Sequence, residues 1–462
     1  MKSSNSKIVV QIVFSLLTCS LFFKCTNNQR STYQNIKEYA DRVKVIDTHE
    51  HQRMAEDFGL TNIRFYHLLH GSYLMNDVIS AGGKRLDFGP LDSLDLEVQA
   101  KLFNHLLDYT RATSYYSHFI KGFQKLYNFD DLYFTENNIP KLSEQIKLNY
   151  LDYPLWFDKS FQKAGFEIMF LDPFWNSLNT EVDERYYALL FHINQLVMQV
   201  SRRPSSGDQP SSLYEEAKKD GFNIKTLDDY LLFCDHLYKK MIENKAVCVK
   251  NSLAYSRSLY FEDVPYKVAI NLFKKSSKNL IPAESKQLQD FMFNWIIQKS
   301  IEYDLPIQIH TGYLSGYDNW LENGKPTKLN NLFIKYPDAK FVLFHVGYPW
   351  TSELIAFGKM YPNVYLDLVW LPQISRERAI LALDEMLDCV PYNKIFWGGD
   401  CTFIEESIGS LEFGKEVVAE TLSKRIERGL LTEDVAFDIV QRIFRENAVE
   451  VFQLKEKLGR EF

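Results

Sequence analysis

Cysteine is scarce in this chain: its 462 residues include six, and only four of them lie beyond residue 25. These four, Cys234, Cys248, Cys389 and Cys401, are far apart and form no CxxC pair. A disulfide framework and a thiolate zinc site both require closely spaced cysteines. The scarcity therefore argues against both, and the four thiols are expected to pack as small buried hydrophobic groups.

Positive charge is also in short supply. The chain has 53 Lys and Arg against 60 Asp and Glu, a formal net charge of -7, and no long run of like charges. Nucleic-acid-binding domains carry a basic patch or stripe, which this composition does not indicate. We therefore expect no nucleic-acid partner and predict a small-molecule substrate instead.

The first thirty residues differ from the rest. Lys2 and Lys7 precede an apolar run over 8–23, and polar residues follow over 26–31. This order is typical of an export signal. We predict that 1–30 is a signal peptide or a lipoprotein signal or anchor, so that the mature protein is periplasmic or membrane-anchored. In a bacterial lipoprotein, Cys19 or Cys25 would carry the lipid, and an uncleaved anchor is the alternative.

Eight short apolar runs recur beyond that segment. They lie at 43–48, 165–171, 187–193, 246–250, 306–310, 341–345, 364–370 and 395–400. Helical patterns alternate with the later runs, at 284–303, 327–336, 352–361 and 376–387. Alternating strands and helices predict an α/β fold with a parallel sheet, and nearly continuous apolar strands indicate that both faces are covered.

The number of runs favours a (β/α)8 TIM barrel. A doubly wound sheet that binds nucleotides would have a glycine-rich turn after its first strand, where this chain has HEHQR. Residues from about 60 to 161 interrupt the alternation and are predicted to be a helical insertion after strand 1, since loops of that length are uncommon. Residues 411–458 are predicted to form C-terminal helices, and 31–462 to form a single domain.

Polar residues stand where several of these runs end. His49 and His51 follow the first run, and their spacing places both side chains on one face of a strand. His310, His345 and Asp400 each end another run. Active sites of TIM barrels lie at these strand ends, and imidazoles with a carboxylate suit Zn²⁺ or a related divalent ion.

We predict His49, His51, His310 and Asp400 as metal ligands. His345 is predicted as a catalytic group that polarises a carbonyl or as a further ligand, and Asp400 also as the catalytic proton shuttle. Lys250 ends the fourth run and could grip an anionic substrate, form a structural salt bridge or, as a carbamate, bridge two metals. Tyr255 and Arg257 follow as candidate substrate-binding residues, with loop anchoring as the alternative for each.

The pattern resembles the amidohydrolase superfamily, and specifically its amidohydrolase-2 (amidohydrolase-related) group. The resemblance rests on HEH at 49–51, on Lys250, His310, His345 and Asp400 in that order, and on the segments IHTG at 309–312 and FHVGYP at 344–349. It implies a metal-dependent barrel in which the HxH pair, His310 and Asp400 bind a first metal. A carbamylated Lys250 would bridge it to a second metal that His345 also binds, so one or two ions are expected.

The predicted activity is hydrolysis of an amide, lactam, lactone or related C–N or C–O bond by metal-activated water. The resemblance leaves a non-oxidative decarboxylase or a uronate isomerase as alternatives. An exported, non-catalytic binding protein with a structural metal is a third hypothesis. It is less favoured because structural zinc sites are usually closed and rich in cysteine.

Overall fold

The computed structural model describes residues 31–53, 62–84, 91–201, 213–275 and 279–462. The predicted export signal at 1–30 lies outside these residues. Among the helices that are described, none combines the length and apolar character needed to cross a membrane.

Eight parallel strands form one sheet in which each strand pairs with its neighbour in the chain, from β1 to β8. The strands are β1 (Val45–Glu50), β2 (Phe166–Leu171), β3 (Tyr187–His192), β4 (Cys248–Asn251), β5 (Ile307–Ile309), β6 (Phe341–Leu343), β7 (Val364–Asp367) and β8 (Ile395–Phe396). The chain after β8 returns to β1, where the amide of Asp400 donates to the carbonyl of His49 at 2.7 Å. The predicted (β/α)8 TIM barrel is confirmed, and each of the eight apolar runs overlaps a strand.

Burial explains why the strands are almost continuously apolar. Every residue of β1, β5 and β6 is buried. One set of strand side chains, including Ile46, Leu190 and Val342, fills the barrel interior. The other set packs beneath the surrounding helices. Each strand therefore has two dry faces, as a barrel covered by helices requires.

The helix α1 (Thr32–Arg42) precedes β1. Its first turn is capped by the hydroxyl of Ser31, which accepts from the amide of Gln34 at 3.2 Å.

The helical insertion predicted after the first strand is present. Between β1 and β2, the described residues form six helices: α2 (Phe65–Gly71), α3 (Leu74–Ser80), α4 (Leu96–Thr110), α5 (Ser114–Leu126), α6 (Ile139–Tyr150) and α7 (Tyr153–Ala164). They enclose a separate aromatic core that includes Phe65, Phe119 and Phe123.

The remaining crossings follow the expected alternation. The helices between β3 and β8 are α8 (Asn194–Met198), α9 (Leu213–Lys219), α10 (Leu227–Glu243), α11 (Tyr266–Phe273), α12 (Pro282–Glu302), α13 (Asn330–Lys335), α14 (Thr351–Met360), α15 (Leu371–Ile374) and α16 (Arg376–Cys389). Four of them, α12, α13, α14 and α16, coincide with the helical patterns of the sequence.

The C-terminal helices are also present. They are α17 (Ile404–Glu427), α18 (Glu433–Gln441), a π-helical turn (Arg442–Glu446), α19 (Asn447–Val451) and α20 (Leu454–Leu458). Phe452, between α19 and α20, packs against Phe170 of β2 and Phe396 of β8 with ring centroids 4.9 and 5.6 Å away. This contact helps to close the barrel at the end where these helices pack.

Candidate metal centre

The strand ends bring three of the predicted ligands into one tight cluster. One ligand atom from each of His49, His51 and Asp400 lies within 4.8 Å of the others. Nε2 of His51 is 3.0 Å from Oδ1 of Asp400, and Nε2 of His49 is 3.7 Å from the same oxygen. Asp400 and His49 are buried and His51 is partly exposed, so the cluster faces the mouth of the barrel.

The other two histidines form a neighbouring pair. Nε2 of His345 lies 3.1 Å from Nδ1 of His310, and the planes of the two rings make an angle of 71°. Within the described residues, the tight cluster comprises His49, His51 and Asp400, whereas His310 pairs with His345. The structure thus divides the predicted ligands into two adjacent groups.

The outward nitrogen of each histidine has a carbonyl partner. Nδ1 of His49 is 3.2 Å from Oε1 of Gln308, and Nδ1 of His51 is 3.1 Å from the backbone oxygen of Asp172. Nε2 of His310 is 2.8 Å from the Tyr313 carbonyl, and Nδ1 of His345 is 2.8 Å from the Val369 carbonyl. Because a carbonyl can only accept, these contacts place the proton on the outward nitrogen and leave the inward one available as a ligand.

The contact between His310 and His345 is one that a bound cation would stabilise. With their outward nitrogens donating, the two facing nitrogens at 3.1 Å both present lone pairs. Burial lowers the pKa of His345 to about 4, and burial together with the charge of His345 holds that of His310 well below its usual value. A proton is therefore not held between them at neutral pH. The donor set fits a divalent metal ion.

Three residues of the site adopt the left-handed backbone conformation that favours glycine: His345, Trp370 and Asp400, with φ of 60°, 61° and 59°. Hydrogen bonds hold Asp400 there. The amide of Gly399 donates to Oδ1 of Asp47 at 2.9 Å, and the amide of Cys401 donates to Oε2 of Glu50 at 2.9 Å. Backbone strain of this kind is characteristic of functional sites.

Residues 281–454 match the profile of the amidohydrolase family, and they contain His310, His345 and Asp400. The match covers less than half of the chain, so it is a similarity of this segment to that family. The predicted resemblance to the amidohydrolase superfamily is thereby confirmed. Protein fluG of Emericella nidulans is 30% identical over 182 residues, which make up 38% of this chain and 21% of that protein. The chain thus spans about a fifth of the length of this curated relative.

Solved structures show the same fold. A glucuronate isomerase from Caulobacter crescentus has a TM-score of 0.74 and 14% identity, with 94% of this chain and 96% of that chain covered. A Lactobacillus casei protein provisionally described as a metal-dependent hydrolase has a TM-score of 0.61 and 15% identity, with 92% and 98% covered. At these identities the similarity establishes the barrel fold alone and leaves the reaction open.

Lys250 lies beside the candidate metal ligands. Its side chain is buried, with Nζ 3.0 Å from Nε2 of His49 and 4.2 Å from the centre of the Phe344 ring. Burial lowers the pKa of Lys250, while the nearby Asp172 and Asp400 act in the opposite direction. The lysine therefore contacts the predicted ligand His49 directly, and its role in substrate binding, in a structural salt bridge or as a carbamate stays a prediction.

Asp172 is a site residue that the sequence analysis missed. It follows β2, and its Oδ2 is 3.7 Å from Nε2 of His49 while its Oδ1 is 2.9 Å from Nδ1 of His192. Although burial opposes ionisation, His192, His51 and Lys250 lower the pKa of Asp172 to about 2. Its position directly after an apolar run was the signal that could have found it, since the predicted ligands share that position.

The two predicted substrate-binding residues differ in their surroundings. The Tyr255 ring lies 4.9 Å from that of His310, and the residue is 39% exposed, so it lies at the entrance of the candidate metal site. Arg257 forms a salt bridge with Asp290 of α12. It also donates to the side-chain oxygen of Gln289, on the same helix, at 3.0 Å. These contacts are those of the loop-anchoring alternative, and substrate binding by Arg257 stays a prediction.

Proposed function

We propose that this protein is a metal-dependent hydrolase that uses water to cleave an amide, lactam, lactone or related bond in a small polar or carboxylated substrate. One observation carries the proposal. The ring nitrogens of His49 and His51 converge with the Asp400 carboxylate, those of His310 and His345 face each other beside them, and each of the four rings is oriented by a carbonyl on its far side. Zn²⁺ is the ion that this ligand set suits best.

A bound divalent ion lowers the pKa of water to roughly 7, which makes hydroxide accessible at neutral pH. The protein's own groups supply the rest. Although burial opposes ionisation, the contact with His51 holds the pKa of Asp400 below its ordinary value, so the group is an ionised carboxylate at neutral pH, the form a proton acceptor needs. Lys250 and Tyr255 provide donors for oxygen atoms of the substrate.

The test combines chelation with substitution. We expect turnover of an amide and lactone panel to disappear with a chelator and return with Zn²⁺. Asp400→Asn should lower kcat by about 10³-fold or more, because loss of a general base costs on the order of 10²–10⁴. Asp438→Asn, whose carboxylate accepts from Tyr392 at 2.8 Å on the outer helix α18, is the matched control. Full activity with chelator or in Asp400→Asn would exclude the proposal.

An isomerase or a lyase is the alternative, because a glucuronate isomerase shares this barrel over nearly the whole chain. Turnover in water labelled with ¹⁸O separates the reactions. Hydrolysis places one labelled oxygen in the carboxylate of the product. A decarboxylase instead releases CO₂, and an isomerase leaves the carboxylate unlabelled.

Metal analysis of the purified protein addresses the number of ions. One equivalent would leave Lys250 and His345 to contact the substrate. Two equivalents would indicate a carbamylated Lys250, which mass spectrometry of the intact protein under non-denaturing conditions would show as an added CO₂. Both outcomes are compatible with hydrolysis.

A further inference from the structure

Aromatic rings from three separate parts of the chain meet beside His345. Trp370 follows β7 and its ring centroid is 4.9 Å from that of His345. Tyr73 and Tyr115 belong to the helical insertion, and Tyr313 belongs to the loop after β5; their rings lie 4.5, 6.3 and 5.5 Å from Trp370. We call these four residues the aromatic subsite.

Two pairs of the four rings are nearly parallel, whereas Trp370 is tilted by 33° against Tyr73 and by 40° against Tyr313. The planes of Tyr73 and Tyr115 are 16° apart at 5.7 Å, and those of Tyr115 and Trp370 are 20° apart at 6.3 Å. Offset, parallel rings stack favourably with a further planar ring, whereas a puckered aliphatic ring makes poorer contact with their faces. The geometry therefore favours a planar group over an aliphatic one of the same size.

Two buried donors of the subsite have no protein partner among the described residues: the hydroxyl of Tyr115 and Nε1 of Trp370. Tyr115 is 6% exposed and Trp370 is fully buried. An unpaired buried donor costs free energy, and an acceptor carried by a ligand would recover it. Since an indole N–H can only donate, the missing partner is an acceptor such as a carbonyl or carboxylate oxygen.

Burial and nearby acidic groups raise the pKa of both phenols, Tyr115 and Tyr73. Burial raises the pKa of Tyr115 well above its usual value, and Tyr313, Asp77, Tyr255 and Asp400 add to the effect. Burial and then Asp400 do the same for Tyr73. Both phenols therefore stay protonated and able to donate, and the negative charge of Asp400 contributes to the raised pKa of each.

We infer that the helical insertion builds the substrate pocket, and that the aromatic subsite binds a planar, ring-containing substrate through an oxygen acceptor on or beside its ring. Tyr115 and Trp370 are the residues that determine this specificity. The inference rests on the proposed function, because it names the substrate class of the same site. It predicts aromatic or otherwise planar cyclic amides, lactones or acids as the compounds to assay.

The test uses two probes of equal charge and similar size, benzoate and cyclohexanecarboxylate, titrated calorimetrically into the zinc-loaded full chain. Both carry the same carboxylate for the metal and the donors, so the difference in their dissociation constants isolates the planarity of the ring. We expect benzoate to bind about ten-fold more tightly, the size of one good aromatic contact. Equal affinities would overturn the inference.

Substitutions then test the donors. Tyr115→Phe and Trp370→Phe should each weaken benzoate about five- to ten-fold, as the loss of one hydrogen bond does, with the zinc content unchanged. The control is Tyr116→Phe, because the neighbouring hydroxyl of Tyr116 accepts from the amide of Phe134 at 2.7 Å inside the insertion core. Unchanged benzoate affinity in both subsite variants would refute their role, and Trp370→Phe decides the matter if Tyr115→Phe does not fold.

The outcome is separable from that of the proposed function. If the panel shows no metal-dependent hydrolysis while benzoate still binds preferentially and responds to Tyr115→Phe, the hydrolase proposal fails and the subsite remains. If hydrolysis is found while the two probes bind equally, the subsite fails and the hydrolase proposal remains.

Discussion

At the scale of single residues, carbonyl groups decide how the histidines can act. Sequence alone placed His49, His51, His310 and His345 at strand ends, and the structure adds an acceptor behind each ring. Three of these acceptors are backbone carbonyls, and the fourth is the side chain of Gln308. Partners of this kind fix the orientation of a ligand and raise its basicity. Because it is a side chain, Gln308 is the acceptor whose role a substitution can test.

Gln308→Leu should weaken metal binding. Gln308 accepts from His49 and donates from Nε2 to the Thr48 carbonyl at 2.8 Å, so its loss frees the His49 ring to rotate. We expect zinc affinity to fall about 10–100-fold, measured by competition with a chromophoric chelator. Gln99→Leu is the control, because Gln99 is equally buried and donates to the Leu91 carbonyl at 2.8 Å within the insertion. A similar loss of affinity in both variants would contradict this role.

The metal-free protein should lose stability in acid through His345. Burial lowers the pKa of His345 to about 4, whereas the unfolded chain takes up this proton near 6.5. Between these values the unfolded state binds more protons, so stability rises with pH across the window and falls as the solution is acidified. Acidification from pH 7 to pH 5 should therefore lower the unfolding free energy by about 2 kcal/mol through His345.

Urea unfolding of the chelator-treated protein at both pH values measures this effect. Between pH 7 and pH 5, the unfolding free energy of His345→Gln should fall by about 2 kcal/mol less than that of the unsubstituted protein, because glutamine does not titrate. An identical pH dependence in the two proteins would show that His345 is not held neutral by the fold.

At the scale of elements, the insertion is joined to the barrel by a close helix crossing. A Cβ on Gly122 of α5 would lie 1.9 Å from the carbonyl oxygen of Glu405 on α17, and one on Gly409 of α17 would lie 2.1 Å from that of His118. The Glu405 side chain adds bonds from Tyr127 at 2.6 Å and Trp156 at 2.9 Å. Because α17 begins four residues after Asp400, this crossing positions the insertion over the site.

Gly122→Ala should separate the two helices. The added methyl group meets backbone, which cannot rotate away, so we expect a loss of about 2–3 kcal/mol in unfolding free energy despite the better helix propensity of alanine. The control Gly221→Ala has open space and a φ of +83°, so only backbone strain of about 1 kcal/mol applies. Thermal and urea unfolding compare the two, and an equal or smaller loss at Gly122 would argue against a tight crossing.

At the scale of the whole molecule, stability and chemistry lie at opposite ends of the barrel. The ligands cluster at the C-terminal ends of the strands, while Phe452 and its neighbours help to close the other end. Such a division is usual in TIM barrels. Substitutions at the two ends should therefore have separable consequences.

Phe452→Ala should reduce stability without changing zinc affinity. The ring is fully buried between Phe170 and Phe396, so its removal leaves a cavity that costs about 3–5 kcal/mol. The control Leu381→Ala removes a side chain that is 59% exposed and should cost about 0.5 kcal/mol or less. Chemical unfolding and a zinc titration on each variant give the comparison. A fall in zinc affinity in Phe452→Ala at unchanged stability would contradict the division.

Export stays a proposal for the whole chain. It rests on Lys2, Lys7 and the apolar run over 8–23, with Cys19 or Cys25 as the site of lipid attachment in a lipoprotein. Fractionation of a bacterial host that expresses the full chain, with radiolabelled palmitate, tests this proposal. Label that is lost in Cys25→Ser or Cys19→Ser would identify the attachment site.

The sequence by itself determined the barrel and the strand-end positions of its ligands, because apolar periodicity is local and strand ends in a parallel barrel must converge. It could not determine which groups face one another across the mouth. The separation of His310 and His345 from the His49, His51 and Asp400 cluster, the participation of Asp172 and Gln308, and the entry of Tyr73 and Tyr115 from the insertion depend on contacts between residues far apart in the chain. Only tertiary packing sets those distances, and they decide what the site can bind.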